Sequence, residues 1–223
     1  MREYTVNRTT DDVPLAGTVS GTPWADAVAF RIDEFSWHDG GPKPLTTGRA
    51  LYDDRAIYLQ YHVEDTDIAA SVTELNGPTY RDSSVEFFAD PTSDDDSRYV
   101  NFEPNCCGQF KLAWQERDWE ARGIGRDLVS SDVAATVDVE TSVPGPTKDP
   151  HPDDEEWWLA AALPFDALEA LTGVTLAPTS GTEWRGNFYR SGVPAAQKAT
   201  WNPIEKPEPD YHSPEYFGRL RFE

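Results

Sequence analysis

TYRDSSVEFFADPTSDDDSRYVNFEPNCCG, residues 79–108, is the stretch on which the fold turns. Val85, Phe87 and Ala89 alternate with Ser84, Glu86, Phe88 and Asp90, the period of a strand with one buried face. Asp90-Pro91 and the run Thr92 to Ser97 supply turn residues. A second strand over Tyr99 to Glu103 returns with Tyr99, Asn101 and Glu103 on one face and Val100 and Phe102 on the other. Side chains opposite one another on antiparallel strands stand about 5 Å apart. Glu86, Asn101 and Glu103, with Arg81 and Asp82 where the first strand begins, are therefore expected to converge as one patch of donors and acceptors. Such a patch suits a sugar or a metal, although the solvent face of an antiparallel sheet is polar without any function.

Outward from this hairpin the same alternation recurs. Thr46 to Tyr52 and Ala56 to Glu64 form a hairpin about Asp53-Asp54-Arg55, with Ile57, Leu59, Tyr61 and Val63 on its apolar face. Gln109 to Gln115, Ala135 to Val143, Trp157 to Leu163, Glu183 to Ser191 and Phe217 to Phe222 read as further strands. Phe165, Leu168 and Leu171 have helical spacing for about two turns before Gly173. Thr22-Pro23-Trp24 looks like a short helical turn with Thr22 as its cap, and residues 1–20 like an edge strand or arm. The stretch from Pro194 to Pro214 is proline-rich and aperiodic, a long loop carrying Trp201. About eight to eleven short strands with one minor helix predict an all-β chain, an antiparallel, jelly-roll-like β-sandwich forming a single domain over residues 1–223.

Composition narrows the function. The chain has 223 residues, enough for a full core without disulfides or metals, and 8 Trp, 9 Tyr and 10 Phe to fill it. Forty acidic residues against 19 basic ones give a net charge of −21. Excess carboxylate with few lysines suits a protein in concentrated salt, where screening shortens to about 3 Å at 1 M. A halophilic source is therefore expected. The same surface repels phosphate backbones and anionic lipids, which argues against nucleic-acid and membrane partners. Cys106 and Cys107 are adjacent and are the chain's only cysteines, so free thiols are expected rather than a disulfide framework or a zinc site. The stretch MREYTVNRTT lacks the apolar run of a secretory signal, and no segment approaches a membrane span, so the expected location is cytoplasmic.

Several motifs together resemble the family 9 carbohydrate-binding modules and their stand-alone relatives. They are Leu51-Tyr52-Asp53-Asp54 with Ile57-Tyr58-Leu59 and Val63-Glu64-Asp65, then Tyr80 through Phe88, then Tyr99-Val100-Asn101-Phe102-Glu103 with Asn105 and Gly108. Trp184 through Arg190, Trp201, His212-Ser213-Pro214 and Phe217-Gly218 complete the set, in order from about Ala27 to Phe222. The resemblance implies a β-sandwich that binds sugars and performs no chemistry, usually with structural calcium. It also implies aromatic side chains clamping a terminal sugar while a carboxylate, an amide and an arginine bond its hydroxyls. On this chain Glu86 and Asn101 match the carboxylate and amide, and Tyr80 and Trp201 the aromatic walls.

The residues support that reading without the family. A pyranose presents apolar C–H faces and a ring of hydroxyls, so flat aromatics with carboxylate, amide and guanidinium groups hold it. Tyr80, Arg81, Glu86, Asn101, Asn187, Arg190 and Trp201 are the expected set for a mono- or oligosaccharide. Asp90, Asp94, Asp95 and Asp96 could supply oxygens to a calcium ion, or be a solvated acidic turn. Glu86 and Glu103 could be paired as in a glycosidase, but no catalytic motif accompanies them. Haem for electron transfer is a further alternative. Its axial ligands would have to come from His38, His62, His151 and His212, since Met1 is the only methionine. A scaffold that binds no sugar is another.

Overall fold

The computed structural model of the chain describes residues 1–92, 98–147, 149–193 and 197–223. Its strands are β1 (Glu3–Arg8), β2 (Phe30–Arg31), β3 (Thr46–Tyr52), β4 (Ala56–Glu64), β5 (Ser84–Asp90), β6 (Arg98–Pro104), β7 (Phe110–Glu116), β8 (Asp127–Leu128), β9 (Asp138–Thr141), β10 (Glu156–Pro164), β11 (Glu183–Ser191), β12 (Ala199–Thr200) and β13 (Gly218–Phe222). Among the described residues two α-helices accompany them, α1 (Ser131–Ala134) and α2 (Phe165–Thr172), with short 3-10 turns such as Pro23–Asp26. The strands hydrogen-bond in the order β8-β7-β6-β5-β11-β13-β1-β3-β4-β10-β9, with β12 on β11 and β2 on β3.

The curl of this sheet is made by β1. Residues 3–6 pair with β13, and Asn7 and Arg8 pair with β3, so one strand leaves one half of the sheet and joins the other. A strand that changes partners part-way along makes the corner of a sandwich. Both pairings are parallel. The expected edge strand at residues 1–20 is thus an internal one, and the otherwise antiparallel sandwich is mixed at this point. Its alternation hides the difference, because Tyr4 and Val6 are buried whichever way the neighbours run.

The hairpins lie where the alternation placed them. At the β3–β4 turn, Asp53 Oδ1 accepts from the backbone N–H of Arg55 (2.7 Å) and Ala56 (2.9 Å), the local bonding that favours aspartate in turns. Helix α2 stops at Gly173, whose φ of +70° closes a left-handed cap. Two sequence expectations shift. Thr22 is not a side-chain cap, because its hydroxyl donates instead to Val19 O at 2.8 Å. The strand expected over Ala135 to Val143 is confined to β9, because Ser130 caps α1 just upstream, its oxygen accepting from Val133 N.

Between the two halves lies the main core, to which Val6, Leu59, Tyr61, Phe87, Phe102, Leu112, Trp157, Phe188 and Phe222 contribute. The outer face of β4 is buried as well. Leu51, Tyr58 and Trp24 pack under the segment around Val13 and Leu15, and Gln60 donates to Ala16 O at 2.7 Å. The outer face of β5, β6, β7 and β11 is covered in a different way, and the cover leaves an opening.

Candidate functional site

Period-two geometry puts Glu86 and Phe88 of β5, Tyr99, Asn101 and Glu103 of β6, and Lys111 and Gln115 of β7 on one outer face. The register pairs Phe88 with Asn101, Glu103 with Lys111, and Glu86 with Tyr189 of β11. Most of this face is roofed by residues 204–217. Ile204, Tyr211 and Phe217 pack on Phe88, Tyr99 and Tyr189 as a second small core. Tyr211 stacks on Tyr189 with ring centroids 4.4 Å apart, and its hydroxyl donates to Arg190 O at 2.6 Å. His212 stacks on Phe88 at 5.3 Å, its Nδ1 within 3.0 Å of the Tyr99 hydroxyl and 2.7 Å of Gln115 Nε2. Lys206 ties this roof together through an ion pair with Asp210 at 2.8 Å.

Where the roof ends, a hollow of about 540 Å³ opens over Glu86, Glu103 and Lys111. Its sides are Tyr80, Trp119, Glu120, Arg126, Ser191, Lys198 and the segment Pro209–His212. Two accessible aromatic residues, Tyr80 and Trp119, thus border a floor of ionisable groups. Tyr80 is 43% exposed, with the Lys111 ammonium 5.5 Å from its ring centre. Trp119 is half-buried, its ring carrying the Arg126 guanidinium at 4.1 Å and meeting His212 edge-on at 6.2 Å.

The floor is electrostatically divided. Glu103 Oε2 accepts from Lys111 Nζ at 3.2 Å and its Oε1 from Asn101 Nδ2 at 2.6 Å. Among the described residues Glu86 has no ion-pair partner. Its Oε1 accepts from Ser191 Oγ at 2.8 Å. Burial, followed by the charge of Glu103, pushes the Glu86 carboxyl up to about 8, against the opposing pull of Ser191, Lys198 and Lys111. Burial also holds the His212 imidazole below its ordinary value, although Glu103 and Asp210 oppose this. At neutral pH the hollow therefore presents a protonated carboxyl, an ion-paired carboxylate and an uncharged imidazole, all fixed by their neighbours.

A family model for carbohydrate-binding family 9 matches residues 24–222. The chain belongs to that family. Among solved structures it is similar to a putative carbohydrate-binding protein from Bacteroides uniformis, at 26% identity and a TM-score of 0.82, covering 100% of this chain and 99% of that one. Two structures of a family 9 carbohydrate-binding module from Caldicellulosiruptor kristjanssonii share the fold at 14% identity. The complex with glucose has a TM-score of 0.62 and covers 100% of this chain and 96% of that one; the complex with cellotriose has 0.60, 100% and 94%. No curated protein matches the chain. Membership in family 9 does not favour the haem alternative.

Within this family 9 fold the expected site residues separate into those at the hollow and those elsewhere. Tyr80 and Glu86 line it. Asn101 is fully buried behind the floor and acts on it through Glu103. Arg81 is exposed and does not line the hollow, its guanidinium 5.6 Å from the Tyr80 ring. Asp82, expected in the same patch, turns inward and accepts from the backbone of Ser71 and Val72 and from Asn105 Nδ2, which fixes the chain ahead of β5.

Three further expected residues, beyond Arg81 and Asn101, do not line the hollow. Asn187 shares the outer face but is spent on the chain itself, donating to Asn202 O and accepting from Asn202 N. Arg190 alternates to the opposite face of β11, where it is wholly buried beside Asp65 at 3.0 Å and Gln197 at 2.8 Å. Trp201 is 3% exposed. Its N–H continues the β12 pairing to Phe188 O at 2.8 Å, and its ring lies edge-on to Phe188 and Tyr4 in the main core. A proline-rich setting read as a loop does not show that the tryptophan inside it is a core anchor.

Of the four aspartates expected to hold calcium, Asp90 alone lies among the described residues. Asp90 is buried, and its Oδ1 accepts from Thr92 N at 2.9 Å and Thr92 Oγ1 at 2.7 Å. Asp94, Asp95 and Asp96 lie outside the described residues. Among the described residues no three His, Cys, Asp or Glu side chains are grouped to hold a metal. The thiols are free, Cys106 buried and Cys107 partly so. No helix among the described residues is long and apolar enough to cross a membrane.

Sequence reasoning overlooked Trp119 and Lys111, and noted His212 only in a family motif and among possible haem ligands. A tryptophan alone in the charged run ERDWEARGIGRD was the available signal, since nothing in that run alternates. Lys111 was also legible, as a cation between the apolar Phe110 and Leu112 at the start of β7.

Proposed function

We propose that this chain, acting as one unit, binds carbohydrate without transforming it, seating a pyranose in the hollow above Glu86, Glu103 and Lys111. The observation that carries this reading is the pairing of a buried, hydrogen-bonded polar floor with two accessible aromatic surfaces, Tyr80 and Trp119. Flat rings cover the C–H faces of a sugar, while the Glu86 carboxyl and the Lys111 ammonium meet its hydroxyls. Family membership supports the substrate class, as do the glucose and cellotriose complexes of the Caldicellulosiruptor kristjanssonii module. Support for binding over hydrolysis comes from Glu103, whose two oxygens are engaged by Asn101 and Lys111 rather than directed at a ligand.

Calorimetry against a panel of mono- and oligosaccharides tests the proposal. Binding to the native protein that is lost in Trp119→Ala and Glu86→Ala, with both variants folded, is the expected result. No heat across the panel would overturn it, as would binding that survives both changes.

A further inference from the structure

The distribution of cations says which kind of sugar fits. In a chain of net charge −21 with only five lysines, Lys111 and Lys198 line the hollow, and Lys206 pairs with Asp210 on its wall. Arg126 lines it too. Lys111 and Lys206 are taken by carboxylates at 3.2 and 2.8 Å. Arg126 and Lys198 have no carboxylate partner among the described residues. Each instead lies against an aromatic ring, Arg126 at 4.1 Å over Trp119 and Lys198 at 5.7 Å from Tyr211. Of the acids on the hollow, Glu103 is committed to Lys111, Asp210 to Lys206 and Glu86 to the Ser191 hydroxyl. Glu120 is exposed.

Two half-buried cations without counter-charge beside a sugar-sized hollow favour an anion on the ligand. A guanidinium in particular prefers a carboxylate, which it meets with two parallel hydrogen bonds, over a neutral hydroxyl. Resting on the carbohydrate reading above, we propose that the bound sugar is a hexuronic acid residue, its C6 carboxylate held by Arg126 and Lys198 and its hydroxyls by Glu86 and Lys111. The acidic exterior opposes the approach of such a ligand at long range, and salt screens that repulsion more than it weakens contacts within the hollow.

The test is calorimetry at one pH and one KCl concentration with glucuronic and galacturonic acids and their oligosaccharides, set against glucose, galactose and cellotriose. The expected result is uronate binding tighter by about tenfold or more, with Lys198→Gln and Arg126→Gln each moving the uronate-to-neutral ratio toward one while circular dichroism shows a native fold. Equal or tighter binding of the neutral sugars would overturn this proposal and leave carbohydrate binding standing. A uronate preference that survives both substitutions would also overturn it, by placing the carboxylate elsewhere. Failure of every sugar to bind would overturn both readings together.

Discussion

Lys111 Nζ reaches Oε2 of its cross-strand partner Glu103 at 3.2 Å, with 5% and 2% of the two side chains exposed. This pair sets the chemistry of the hollow, because it satisfies one of two neighbouring carboxyls and leaves Glu86 to bear the cost of burial.

Removing one member of such a pair strands the other. Lys111→Met is expected to lower stability by about 3–5 kcal/mol, since it leaves the Glu103 carboxylate buried and uncompensated. The double variant Lys111→Met/Glu103→Leu is expected to recover most of that loss. Urea unfolding of the three proteins checks this, and a double variant no more stable than the single one would show that the pair is not the cause.

The raised Glu86 carboxyl gives a pH dependence of definite sign. Unfolded, this group ionises near its ordinary 4.5; folded, it holds its proton until about 8. Between those values the native state binds the extra proton, so Glu86 lowers stability progressively as pH rises through the interval and adds no further loss above it. Melting temperatures should therefore shift in favour of Glu86→Gln over native protein from pH 5 to pH 8, then stay at a constant offset. A difference that is flat across the interval would refute the assignment.

Two tryptophans with opposite fates give a third test. Trp201→Ala is expected to cost about 3–5 kcal/mol, as for any large aromatic removed from a packed core. Gly218 lies so close to the Trp201 ring and to Arg2 O that a Cβ there would clash with both. Gly218→Ala is therefore expected to destabilise by about 1–3 kcal/mol through the same contact. Trp119→Ala, at a half-exposed loop position, is expected to leave the unfolding midpoint close to native while abolishing sugar binding. Denaturant melts beside calorimetry separate the two roles.

The charge balance predicts a salt response. With 40 acidic residues against 19 basic ones, self-repulsion should weaken the fold in dilute buffer and be screened as ionic strength rises. The melting temperature is expected to climb steadily with added KCl. One that ignored salt would remove the halophilic reading.

How far the residues speak for themselves varies with the distance over which they act. Alternation places Glu86, Asn101 and Glu103 on one face, because the direction of successive side chains along a strand is local geometry. The same rule separates Arg190 from Asn187 on β11, so its burial away from the hollow was legible too. Trp201 was not. Its surroundings in sequence are prolines and polar residues, and only the pairing of β12 with β11 carries its ring into the core.

What the order of amino acids determined alone is a set of strands, their turns, the short helix before Gly173 and the two faces of each strand. Periodicity and turn chemistry are properties of neighbours in the chain. Which polar face becomes a hollow was decided only in three dimensions. The hollow over Glu86 and Glu103 is walled by Tyr211 and His212, more than a hundred residues away, and by Trp119 from an aperiodic loop. A strand's pattern tells which side a residue faces, but the environment on that side belongs to whatever the rest of the chain packs there, and that environment sets both the burial of Glu86 and the protonation that follows.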